Sequence, residues 1–177
     1  MTDSTSHAEP NPLLQPATLP RFDEIRPEHV VPAIRHVLGE LETALQQVEA
    51  GLQPIWDQLV APLERIEDRL TSVWGVVGHL MGVKNSEALR QAQQEVQGEV
   101  VQFSMRMGQS QRIYQGLKTL RTSPEWGTLD TAQQRIVDAL IRDAALAGVG
   151  LQGEPRQRFN AIQQELAELS TQFSNHV

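Results

Sequence analysis

A chain of 177 residues with a net charge of −7 and no cysteine leaves few kinds of chemistry open. Disulfides, thiolate zinc sites and cysteine nucleophiles are excluded, and the acidic balance excludes the basic face of a nucleic-acid binder. No run of about 18 apolar residues exists, so no membrane-spanning helix is expected. The start, MTDSTSHAEPNPLLQP, has neither a basic stretch nor an apolar core, so it is not a secretory signal and the expected address is the cytoplasm. The length suits one domain, and a composition rich in Leu, Val, Ala and Gln with only 5% aromatics suits helical packing.

Residues 1–20 carry Pro10, Pro12, Pro16 and Pro20. Proline has no backbone donor and biases its neighbour towards extended shapes. A disordered tip is expected, followed by an extended arm that lays Leu13, Leu14 and Leu19 across a helical body spanning 21–177. Pro27 and Glu28 open a first helix, one suited to the first helical position and the other to the positive helix end. Pro32 is expected to interrupt or restart that turn. Ile34, Leu38, Leu41, Leu45 and Val48 then form a stripe that ends before Gly51.

A second helix is predicted from Pro54 to about Met81 on Ile55, Leu59, Leu63, Ile66 and Leu70, with a kink at Pro62. Asn85-Ser86 caps a third helix starting at Glu87, which is expected to reach Leu120 with a bend near Gly108. Ser123-Pro124 breaks the chain. Asp130 to Gln133 reads as a capping box for a helix bearing Ile136, Val137, Leu140 and Ile141, stopped by Gly148 and Gly150. The last helix begins near Pro155. Its stripe of Phe159, Ile162, Leu166, Leu169, Phe173 and Val177 shows no stop signal. That helix is expected to be cut short and to need a partner surface. Leu140 and Leu166 are both expected at packing positions. The fold class predicted is all-α, an antiparallel bundle of about five or six helices with the last truncated.

The search for chemistry returns no catalytic, cofactor-binding or metal-binding residues. His7, His29, His36, His79 and His176 include no pair spaced as H-E-x-x-H, the pattern that puts two imidazoles one helical turn apart with a glutamate base. No E-x-x-H exists for a di-iron bundle. Gly148-Val149-Gly150 follows a helix, without the lysine of a phosphate loop, and reads as a helix stop. Glu64 and Asp68 beside Arg65 and Arg69 read as a solvated helix face. Trp74 lies in an apolar stretch and reads as packing. Met105 and Met107, two apart, are expected on different faces, so no methionine patch follows.

Four stretches go further. They are NPLLQPATLPRFDEIRPEHVVPAIRHVL (11–38), TSVWGVVGHLMGVKNSEALRQA (71–92), LDTAQQRIVDALIRDAALAGVGL (129–151) and RFNAIQQELAELSTQFSNHV (158–177). In this order they resemble the front of the thimet-oligopeptidase-like zinc metallopeptidases, most of all their bacterial oligopeptidase A branch. The resemblance implies a two-lobed helical fold around a narrow channel that admits short peptides. It also implies a zinc ion held in the second lobe by H-E-x-x-H and a distant glutamate, where metal-bound water attacks the peptide carbonyl. Only the front of the first lobe is matched, so no metal or catalytic residue carries over. Arg26 stands where a Ser or Thr cap before Pro27 is expected, so the first turn should be less well capped.

The function implied is a channel wall and scaffold for a zinc-dependent oligopeptidase, inactive alone, with the missing catalytic lobe as partner and zinc as the cofactor of the whole protein. The alternative is a stand-alone helical module that grips a peptide or partner helix in a groove. Neither reading involves nucleic acid or membrane.

Overall fold

The computed structural model describes residues 10–15 and 19–176, so the expected N-terminal tip lies outside the described residues. Among the described residues there are six α-helices and no strand. They are α1 (Pro27–Ala50), α2 (Ala61–Val83), α3 (Glu87–Gly108), α4 (Gln111–Thr122), α5 (Thr131–Leu146) and α6 (Gly153–His176). A single π-helical turn, Trp56–Val60, precedes α2, and a 3₁₀ turn, Pro124–Thr128, joins α4 to α5. The fold is the all-α antiparallel bundle expected.

α1 is the central helix. It packs on both α2 and α3, while α6 lies against α3 and α4 pairs with α5. Its positions Val30, Ala33, Ile34, Val37, Leu41 and Leu45 recur at spacings of three and four and are buried. This stripe explains why Pro32 does not interrupt the helix as the sequence leads one to expect. An interior proline costs about 3 kcal/mol. Val30, Ile34 and Val37 are fully buried, and each such side chain contributes about 1.5–3 kcal/mol on burial. The carbonyl that loses its donor is that of Glu28, in the exposed first turn, where water can serve it.

Arg26 offers no acceptor to that first turn, as expected. The compensation comes from His29, whose Nδ1 accepts from the Arg26 backbone N–H at 3.1 Å. That is the reverse half of a capping box, with an imidazole standing in for Glu or Gln. The arm is tied to the same turn. Asn11 Nδ2 donates to the His29 carbonyl at 2.8 Å, residues 11–14 form a turn closed by Leu14 N–H on the Asn11 carbonyl, and Leu13 is buried while Leu19 is exposed.

Two further expectations change. Pro62 does not kink a helix interior but sits in the first turn of α2, and the irregularity falls in the π-helical turn before it. The Trp56 backbone N–H there donates to the Glu125 carboxylate at 2.8 Å, so a residue far along the chain caps this turn. The long third helix is not bent but broken: α3 ends at Gly108, and Ser110 starts α4 by accepting from the Ile113 N–H. The caps at Ser86 and the box of Asp130 with Gln133 form as expected. Gly148 stops the chain after α5 with φ +82°, a left-handed conformation that favours glycine. Gly116 serves packing instead, because a Cβ there would lie 2.8 Å from Leu52 Cδ2.

Candidate functional site

The histidines are spread over the molecule. His29 caps α1, His36 Nε2 lies 3.1 Å from Glu40 one turn on, and the His79 ring lies 5.0 Å from that of Phe22. His7 and the His176 side chain lie outside the described residues. Among the described residues no group of three or more histidines and carboxylates is placed to hold a metal. The described residues therefore offer no cluster that fits a zinc ion. No described helix is long and apolar enough to cross a membrane.

The distinctive feature is α6. It leans on α3 through a polar and small face. Gln97 Nε2 donates to the Ala167 carbonyl at 2.8 Å, and the Thr171 hydroxyl donates to Gln97 Oε1 at 3.0 Å. The apolar stripe points elsewhere. Ile162, Leu166, Leu169 and Phe173 are 37%, 54%, 52% and 72% exposed, at spacings of four, three and four. This is the reverse of α1, which buries its apolar stripe in the core. Leu166 is thus open, as expected of a stripe that needs a partner surface, and Leu140 is half-buried. Val177 lies outside the described residues.

The base of α6 is fixed by a buried amide. Gln109, 3% exposed, sits in the break between α3 and α4. Its Nε2 donates to the Ala147 carbonyl at 2.9 Å and to Asn160 Oδ1 at 2.7 Å, and its Oε1 accepts from Arg156 Nε at 2.9 Å. The polar capacity of the side chain is well used, which keeps its burial inexpensive. Gln111 adds a bond to the Val149 carbonyl. A second polar knot joins Glu49 at the end of α1 to Arg106 and Ser110. The Arg106 guanidinium holds the Glu49 carboxyl below its ordinary range, assisted by the Ser110 hydroxyl and opposed by burial.

α2 faces α5 and α6 across open space. A hollow of about 870 Å³ is walled by Trp74 and Leu70 of α2, Met105 and Met107 of α3, and Phe159 and Leu166 of α6. The two methionines line one hollow although their spacing puts them on different faces, because the hollow spans both. Glu64 is half-buried and lines a neighbouring hollow of about 330 Å³, while Asp68 is exposed. Neither Gln109 nor this gap is readable from helical periodicity, since both depend on how separate helices meet.

Residues 34–156 match the family model described as neurolysin/thimet oligopeptidase, N-terminal domain. The chain is 48% identical over 167 residues to the "Probable cytosolic oligopeptidase A" of Arabidopsis thaliana, covering 94% of this chain and 24% of that protein. It is 39% identical over 168 residues to the "Oligopeptidase A" of Escherichia coli (strain K12), covering 94% of this chain and 25% of that protein. A more distant relative is the "Dipeptidyl carboxypeptidase" of the same organism, at 21% identity over 172 residues and again 25% of its length. The chain thus spans about a quarter of the length of the relatives it matches. With an all-helical fold in agreement and a family match over more than half its residues, this chain belongs to the neurolysin/thimet oligopeptidase family and corresponds to its N-terminal domain.

Proposed function

We propose that this chain is the N-terminal helical scaffold of a zinc-dependent oligopeptidase that degrades short peptides. It forms part of a channel wall and a platform for the catalytic lobe, which carries the zinc. The observation that carries this reading is the outward apolar stripe of α6. Fully covering a leucine contributes about 1.5–3 kcal/mol, so Leu166, Leu169 and Phe173 together offer a docking surface of useful strength. Relatives named as oligopeptidases support the reaction class. A cytoplasmic address belongs to the same reading, in keeping with the relative named as cytosolic and with a cysteine-free chain.

The test is reconstitution. The catalytic remainder of the longer protein is made separately and assayed on a quenched short peptide, with and without this chain. The expected result is no cleavage by this chain alone, chelator-sensitive cleavage by the mixture, and co-elution of the two on size exclusion. Full activity from the remainder alone would sink the scaffold role.

A further inference from the structure

The gap beside α2 is a trough rather than two separate hollows, because the hollows of about 870 and 330 Å³ share Glu67, Met107 and Ala147 in their walls. It runs along α2 from Leu63 past Trp74 to Gly75, opposite α5 and α6. Its surface is mainly apolar, with two methionines that can adapt to an irregular partner. The charged side chains lining it are Glu64, Glu67 and Asp143, all acidic. Asp143 is engaged by Arg142 at 2.9 Å. Among the described residues the Glu64 and Glu67 carboxylates have no ion pair or hydrogen bond. Three apart on one helix, they form a neighbouring pair of carboxylates on the lip of an apolar surface.

Resting on the scaffold reading above, we infer that this trough seats an amphipathic helix with Lys or Arg along one edge, supplied by the polypeptide that completes the oligopeptidase. An apolar trough calls for an apolar helical stripe. The two free carboxylates call for cations one turn apart beside that stripe. A second copy of this chain is a poor occupant. The stripe of its own α6 is flanked by Glu165 and Glu168, which would set carboxylate against carboxylate.

The test uses two synthetic helical peptides of about 18 residues, a length at which helices become persistent. Both carry the same leucine stripe, one flanked by lysine and the other by glutamate. Calorimetric titration into this chain is expected to show the lysine peptide binding about ten-fold tighter, with the gap shrinking at about 0.5 M salt. Glu64→Gln with Glu67→Gln should abolish that gap without changing the thermal melt. The control pair Asp57→Asn with Glu87→Gln, away from the trough, should preserve it, which separates a local site from the general pull of an acidic protein. Equal binding of both peptides, no binding, or a gap indifferent to Glu64 and Glu67 would overturn the inference. In the reconstitution assay Glu67→Lys should raise the remainder concentration needed for half-maximal activity about ten-fold. An unchanged requirement would overturn the assignment to the remainder. Reconstitution that succeeds while the peptides fail removes the trough and leaves the scaffold reading. Failed reconstitution with the peptide preference intact removes the scaffold reading and with it the remainder as occupant.

Discussion

Glu49 gathers the ends of three helices, and its titration should be visible in the stability of the whole domain. Its side chain is 18% exposed against 38% for Arg106, so solvent screens the pair and the lower end of the range for charged hydrogen bonds applies. Glu49→Gln is expected to cost about 1–2 kcal/mol at neutral pH. Because folding lowers the Glu49 pKa, its contribution is full above the ordinary glutamate value of about 4.3. It is lost as pH falls below that through the lowered folded value. Thermal melts of both proteins from neutral to acidic pH should therefore converge on the acid side. Gln109 acts by satisfaction rather than charge. Gln109→Leu leaves the Ala147 carbonyl, Asn160 and Arg156 each short of a partner, at about 2–3 kcal/mol. Amide exchange at the start of α6 should speed up more than exchange in α1.

Single helices were legible in the residues wherever the signal is local. The Ser86 cap, the Asp130 box and the Gly148 stop each act within four residues, so the side chain that terminates the helix is adjacent to it in sequence. Pro32 and the break at Gln109 depart from what local sequence leads one to expect because the deciding contacts come from elsewhere. Burial against α2 and α3 keeps α1 unbroken, and partners near 147–160 hold Gln109. Periodicity also cannot say what covers a stripe. Leu45 and Leu166 look alike in sequence, yet one is fully buried and the other 54% exposed. Leu45→Ala should cost about 2–5 kcal/mol, whereas Leu166→Ala in this chain alone should stay within about 0.5 kcal/mol. Urea denaturation of the two variants checks the contrast.

At the scale of the molecule, the chain closes one core around α1 and leaves a second surface, the α6 stripe with its adjoining trough, without cover. The family, the lack of a zinc motif and the need of the α6 stripe for a partner could be read from the residues, but the trough could not, because it is defined by how α2, α3, α5 and α6 meet. The two surfaces should separate experimentally. Leu166, Leu169 and Phe173 changed together to Gln remove apolar area that is already largely in water, so the melting temperature of the isolated chain should hardly move. The same change removes the docking surface, so association with the catalytic remainder should weaken by more than about ten-fold, the equivalent of 1.4 kcal/mol. At saturating concentrations the turnover of the assembled protein should be retained, because these side chains act through assembly and touch no reacting group. Leu45→Ala should do the opposite, lowering the folded fraction while leaving association of the folded molecules intact. Melting curves and activity titrations on the two variants give the comparison. Unchanged association for the triple variant would mean that the exposed stripe of α6 is not the surface on which the rest of the protein docks.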